Sequence, residues 1–407
     1  MRACLSLVVL FAACVVAVPA PAPTQAQQLS KRSFKVELVR NPGFVQRGAL
    51  SDLPRAYRKV EQMDFSGLRS KHSNTKSGGN PVSTNGTHNE EGSVTATGLA
   101  GGVEFVGPVN IGGNQTMFVV FDTGSSDFWV LHTGLNATNI NKEQLFNPDE
   151  SQTFRQENGA TFNISYGDGS FASGPVGTDT VGIGNVEVDS LRFGLPNNIS
   201  NSFTELPSSG ILGLAFPGLN TIKPGPPQTF LELALPTLEA PLFTADLRAN
   251  TNGTYEFGRI DDTKFSGDLS WASVQSESGF WLFPSSSVEI SGAGSLRLPG
   301  CRAIADTGTT LLILDPRTVE FYFNQANIID FNQAGNAIVD CNEELPDLSL
   351  SIGDVFNAKI PGDVIRFEQE DGSMCLFSFL SPFIKKLKLI KPLHSLHYWH
   401  GAHREAR

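Results

Sequence analysis

The chain is constrained above all by a short acidic turn that it contains twice. Phe121-Asp122-Thr123-Gly124-Ser125-Ser126-Asp127-Phe128-Trp129 has its core repeated near the other end as Ala305-Asp306-Thr307-Gly308-Thr309-Thr310-Leu311. Each copy follows an apolar run (Phe118-Val119-Val120-Phe121, then Ala303-Ile304-Ala305) and precedes another (Phe128-Trp129-Val130-Leu131, then Leu311-Leu312-Ile313-Leu314). That pattern predicts a buried strand, a tight glycine turn and a second buried strand. One Asp-Thr-Gly is most often an ordinary turn, with Asp bonding its own backbone. Two copies in matching contexts carry more. An acid between buried strands is costly unless paired and hydrogen-bonded, so the repeat predicts two related lobes that each deliver one carboxylate to a shared site.

The rest of the chain fits a protein of that size and class. At 407 residues it exceeds one ordinary core and suggests two or three folding units. Its 40 Gly and 29 Phe, with abundant Ser and Thr, suit a β-rich protein with many turns. Leu5 to Val18 is an apolar run after Arg2, too short to span a bilayer, and reads as a secretory signal peptide cut near Ala20. No later stretch is long and apolar enough to cross a membrane, so an exported, soluble product is expected.

Charge is strongly partitioned. Residues 21–90 hold 11 basic and 5 acidic side chains, net +6; residues 91–375 hold 12 and 35, net −23; residues 376–407 hold 6 and 1, net +5. An acidic body argues against nucleic acid or an anionic membrane as partner, and suits use at low pH. The basic 21–90 segment reads as a removable prosegment that lies across an acidic cleft and leaves when the carboxylates protonate. Sequons at Asn85, Asn114, Asn136, Asn163, Asn198 and Asn252 permit glycosylation.

Along the body, Val103-Glu104-Phe105-Val106 and Val109-Asn110-Ile111-Gly112-Gly113 read as strands leading into the first motif. Phe162 to Phe171, with Tyr166-Gly167-Asp168-Gly169 at its centre, reads as a β-hairpin with a two-residue glycine turn. Thr229 to Leu235 is a short helix stopped by Pro236, and Asn250-Thr251-Asn252-Gly253 is a turn taken as the lobe boundary. Asp315-Pro316 predicts a helix start, with Val319, Tyr322, Phe323 and Ala326 as its core stripe.

With these motifs the chain resembles the pepsin-like aspartic proteases, in particular the secreted fungal enzymes of the endothiapepsin and aspergillopepsin type, from about residue 34 to about residue 375. The resemblance implies a mainly β, bilobal fold with pseudo-twofold-related lobes and a central cleft. It divides the chain into a signal peptide (1–20), prosegment (21–90), N-terminal lobe (91–250) and incomplete C-terminal lobe (251–375). It implies catalysis by Asp122 and Asp306, with Thr123 and Thr307 bridging the turns and Ser125 and Thr309 bonding the outer carboxylate oxygens. Gly124 and Gly308 would let backbone approach substrate. Tyr166, Gly167, Asp168 and Gly169 would form the substrate-covering flap, with Trp129 the indole partner of Tyr166 and Asp168 favouring Lys before the cleaved bond. Ser209-Gly210-Ile211-Leu212-Gly213-Leu214-Ala215 would support the first turn, Ser209 standing where the family usually has Asp. A Cys341–Cys375 disulfide is implied, which leaves Cys301 as a buried free thiol. The implied partners are polypeptide substrates and the chain's own prosegment, on a monomer that needs no metal or organic cofactor.

After Cys375 the resemblance ends. Residues 376–407 read as an aberrant basic tail, as from a mis-joined gene model. Its His394, His397, His400 and His403 recur at a spacing that fits neither helix nor strand, so no metal site is expected. Two classes of function follow: a secreted acid endopeptidase made as a zymogen, or an inactive relative that at most binds peptides because strands supporting Asp306 are missing.

Overall fold

The structure, a computed structural model, describes residues 8–12, 34–37, 94–99, 104–136, 145–167, 169–204, 208–247, 253–309, 312–326, 330–331, 337–368, 374–377 and 379–380. Asp168, Ala56 to Lys59, Asn250 to Asn252, Thr310, Leu311 and the four tail histidines lie outside them.

The first apolar run forms the strand Gln115–Asp122, whose residues from Val119 onward are all buried. It pairs antiparallel with Glu104–Ile111, Val106 opposite Val120 and Val109 opposite Met117. Sequence had suggested two strands here, the second running through Gly113. Instead one strand continues through Pro108 and ends at Ile111, because Gly112 and Gly113 take left-handed φ values of 65° and 79°. Pro108 is tolerated because other strands cover only the two ends of Glu104–Ile111 on that edge, leaving its missing N–H unasked for.

The second apolar run is the fully buried strand Phe128–Val130. Between the two runs slots Gly210–Gly213, parallel to Gln115–Asp122 and antiparallel to Phe128–Val130. A Cβ on Gly213 would lie 2.5 Å from the Ser126 backbone, so only glycine lets the strand pass this close to the turn. The long pair Arg155–Ser165 and Phe171–Ile183 makes the hairpin, with Val186–Gly194 beside it.

The hairpin Leu242–Asp246 with Gly253–Phe257 extends the same large sheet. Its Gly253–Phe257 strand also carries Phe34–Glu37, Val36 opposite Tyr255, and touches Val94–Leu99 at Ala96; Val8–Ala12 pairs with Leu242–Asp246. Beyond it stand the smaller sheets of the second lobe, among them Gly294–Arg297, Ser287–Ile290, Leu348–Ile352 and Phe356–Ile360 in that order. The helix Pro316–Gln325 starts as expected, with Asp315 capping the Arg317 N–H and Pro316 in the first turn. Its Val319, Tyr322, Phe323 and Ala326 are buried in the second core with Val288, Ile290 and Leu348.

Gly210–Gly213 runs antiparallel to the strand leaving the first motif, whereas Phe379–Leu380 runs parallel to Leu312–Ile313, which leaves the second. Strand structure thus continues past Cys375. Cys341 is disulfide-bonded, and the strand ending at Asp340 lies against that of Cys375, Val339 opposite Cys375. Cys301 is free but only half-buried rather than buried, its Sγ 3.4 Å from an Arg317 nitrogen. Among the described residues no helix is long and apolar enough to cross a membrane.

Packing in the first lobe centres on Phe193, which is fully buried with ring centroids 5.3 Å from Phe128, 5.8 Å from Phe146 and 6.3 Å from Phe154. Phe193→Ala is expected to cost about 3–5 kcal/mol, as for other buried aromatics cut to Ala. Denaturant unfolding of the two proteins checks it; a loss under about 1 kcal/mol would mean that the site is not a packed core.

Candidate active site

Each repeated turn first satisfies itself. Gly124 N–H donates to Asp122 Oδ1 at 2.8 Å and Gly308 N–H to Asp306 Oδ1 at 3.0 Å, the Asp-turn geometry that short acidic side chains favour. The outer oxygens are held as the resemblance implied, Ser125 Oγ donating to Asp122 Oδ2 and Thr309 Oγ1 to Asp306 Oδ2, both at 2.5 Å.

The turns then grip each other. Thr123 N–H donates to Thr307 Oγ1 at 3.1 Å, and Thr307 N–H to Thr123 Oγ1 at 2.9 Å. Each hydroxyl passes its own proton to the carbonyl that precedes the opposite Asp, Thr123 to Ala305 O at 2.8 Å and Thr307 to Phe121 O at 2.7 Å. The glycines measure how close the acids come. A Cβ on Gly124 would stand 2.5 Å from Asp306 Oδ1, and one on Gly308 2.3 Å from Asp122 Oδ1. Each carboxylate therefore rests on the opposite turn, and two acids distant in sequence face one site. Asp122 is buried and Asp306 half-buried.

The strand Gly210–Gly213 and its extension lock the first turn from behind. Leu214 N–H donates to Asp122 O, Ala215 N–H to Ser125 O and Gly213 N–H to Asp127 O. At the end of the hairpin strand, Tyr166 Oη accepts from Trp129 Nε1 at 2.7 Å, so the two aromatic residues read from sequence meet. The hairpin closure differs from the two-residue turn expected. Gly169 N–H donates to Tyr166 O while Tyr166 N–H donates to Ser170 O, and Gly169 is left-handed at φ 78°. That is the longer, bulged closure, which places a glycine just before the returning strand.

Three residues were missed by the sequence reading. Phe203 packs edge-on against both Trp129 (5.1 Å) and Tyr166 (5.5 Å), from a four-residue helix with no periodic signal. Asp127, inside the first motif, is fully buried and accepts from Thr221 N–H and Thr221 Oγ1, the latter at 2.7 Å. Burial pushes its carboxyl up to about 6, against those hydrogen bonds. Tyr255 is fully buried, packs tilted against Phe121 with ring centroids 5.0 Å apart and donates its hydroxyl to Phe121 O at 3.1 Å. Burial drives its phenol far above its ordinary value, so it remains a donor throughout the acid range.

Two outcomes follow. An acid whose folded pKa is raised favours folding while protonated, so Asp127 contributes stability below about pH 4 that is lost as pH rises through about 6. The span is about 3 kcal/mol, and Asp127→Asn is expected to flatten that part of a stability-versus-pH curve. A variant keeping the full slope would move the cause elsewhere. Tyr255→Phe keeps the ring but removes one of the two donors on Phe121 O. We expect it to unfold more easily by about 1 kcal/mol, the net worth of one such hydrogen bond, in denaturant titration; an unchanged unfolding midpoint would make the bond incidental.

The sequence model of the eukaryotic aspartyl protease family matches residues 104–390, extending past Cys375. The chain is 40% identical over 288 residues to penicillopepsin-1 of Penicillium janthinellum, covering 70% of this chain and 87% of that protein. It is 39% identical over 273 residues to aspergillopepsin-1 of Aspergillus fumigatus, covering 66% and 68% respectively. To endothiapepsin of Cryphonectria parasitica it is 37% identical over 341 residues, covering 83% and 78%.

Proposed function

The chain belongs to the eukaryotic aspartyl proteases, aspartic-type endopeptidases of pepsin-like fold, and on that premise we propose that it is a secreted acid endopeptidase, made as a zymogen, whose Asp122 and Asp306 activate one water between them. The observation that carries the proposal is the contact of each carboxylate with the opposite glycine, which brings two acids to one place.

Hydrolysing a peptide at low pH needs a base for water and an acid for the carbonyl oxygen and departing amine. Two carboxylates ~3 Å apart repel by roughly 5 kcal/mol at an effective dielectric of about 20, or roughly four pKa units. They hold one proton between them, so one is acid while the other is base, and the pair titrates as a unit. Pepsin-type dyads are the standing example of this sharing. Asp122 and Asp306 take the two roles. Thr123 and Thr307 keep the turns in register, and Ser125 and Thr309 hold the outer oxygens so that the inner ones face the water. Tyr166, Gly167 and Gly169 cover the substrate, with Trp129 bracing Tyr166.

The substrate is a polypeptide, as the family implies. The zymogen reading is supported by the +6 charge of residues 21–90 beside the −23 body. It is supported also by Phe34–Glu37, which lies within that segment and is hydrogen-bonded to the strand carrying Tyr255. Export is supported by the apolar run at residues 5–18 and by a disulfide at Cys341; Cys375 is its proposed partner.

Asp122→Asn and Asp306→Asn are each expected to lower peptide cleavage at acid pH by at least about 1000-fold, because neither base nor acid role survives alone. Both variants should still be secreted. A pepstatin-like statine peptide is expected to bind the wild type at acid pH. An Asp306→Asn protein with full activity would refute the dyad, and binding without cleavage would favour the inactive, peptide-binding relative.

A further inference from the structure

The sequons are sequence motifs that the proposed chemistry leaves unused, and two of them meet on one surface. In the strand Arg155–Ser165, Asn163 and Ser165 are exposed while Phe162 and Ile164 between and before them are buried. Asn163 stands opposite Ser173 of the returning strand, and Ser173 stands opposite Asn198 on its other edge. The adjacent row is Ile164, Ala172 and Ile199, which packs inward. Cross-strand partners share a face, so Asn163 and Asn198 lie on the outer face of the flap hairpin, two strand spacings or roughly 10 Å apart. Tyr166 points to the opposite face, against Trp129 and Phe203.

Both asparagines are exposed, and neither side chain makes a hydrogen bond among the described residues. Two other sequons are less free. The Asn114 amide donates to Glu150 O at 3.3 Å, and Thr254, the hydroxyl of the Asn252 sequon, is buried and accepts from Lys264 at 2.8 Å.

We propose that Asn163 and Asn198 are N-glycosylated, so that carbohydrate covers the outer face of the flap. The proposal rests on the export reading above, because the donor is an oligosaccharide on a lipid diphosphate met during secretion. The side-chain amide nitrogen bonds to C1 of the first sugar, the C1–O bond breaks, the lipid diphosphate leaves and the amide gives up one proton. Ser165 and Ser200 are the sequon hydroxyls. Ser200 Oγ accepts from Phe171 N–H in the folded chain, so its part in recognition precedes closure of the hairpin. A bulky, hydrated chain on this face meets no packed surface and leaves the Tyr166 side open.

The test is to express the full chain in a eukaryotic secretory host, purify it from the medium and map Asn-to-Asp conversion after enzymatic removal of N-glycans. Conversion is expected at both Asn163 and Asn198. Asn163→Gln and Ser165→Ala are each expected to remove one and the same glycan mass, Asn198→Gln the other, with cleavage of a short peptide within about two-fold of wild type. A secreted chain unmodified at Asn163 and Asn198 overturns the proposal and leaves export standing. A chain that never reaches the medium removes export and the proposal together. The wild-type map decides the matter even where a variant fails to fold.

Discussion

Two acids are kept together here by an exchange of neutral hydrogen bonds. Thr123 and Thr307 each take the other's amide proton and give a hydroxyl proton to the carbonyl beyond it. Each such bond is worth only about 1 kcal/mol net, which is small beside the repulsion of the acids. Its value lies in the alternative. A buried amide or carbonyl left without its partner costs more than the bond gains, so any rotation of one turn against the other is penalised at four places at once. The lobes are held in one relative position, and the carboxylates inherit it.

The remainder of the first lobe reinforces that alignment from one side. Leu214 fixes the Asp122 carbonyl, Ala215 fixes Ser125, and Tyr255 shares Phe121 O with Thr307. Trp281, from the second half of the chain, is buried in the first core and donates to Leu214 O at 3.0 Å. The floor of the site therefore depends on chain segments from Phe121 to Thr307, and damage to any one reaches the acids through backbone rather than through charge. Beyond the second motif, Phe379–Leu380 pairs parallel with Leu312–Ile313.

How much of this could be read from the chain follows a physical divide. Asp315-Pro316 and the Asp-Thr-Gly turns are local signals whose partners lie two or three residues away, and each forms the cap or turn its residues predicted, although the strands beside the second turn are only half-buried or exposed rather than buried. The glycine hairpin was recognisable, but not its bulge, since the closing bond depends on which residue turns left-handed. Pro108 and Gly112-Gly113 misled for a related reason: a strand's end is set by dihedrals and by what covers its edge. Tyr255, Phe203 and Thr221 were invisible because nothing near them in sequence marks their distant partners. A buried phenol on an alternating strand looks like any core aromatic until its carbonyl is known.

Acid conditions suit this molecule on two independent grounds, and they can be separated by range. The body's 35 acidic against 12 basic side chains repel one another through solvent, an effect that salt screens within about 10 Å at 0.1 M. Asp127 opposes ionisation for a different reason: it is fully buried, and Thr221 offsets only part of the cost of removing its charge from water. Salt scarcely touches that local penalty. The surface term grows gradually as carboxylates lose protons, whereas the buried term is confined to the titration of one group. A protein selected only for solubility has no need of the second. Placing an acid of raised pKa in the turn that carries Asp122, with its backbone carbonyl bonded to the supporting strand, ties the integrity of the site to the same low pH at which two carboxylates can share a proton.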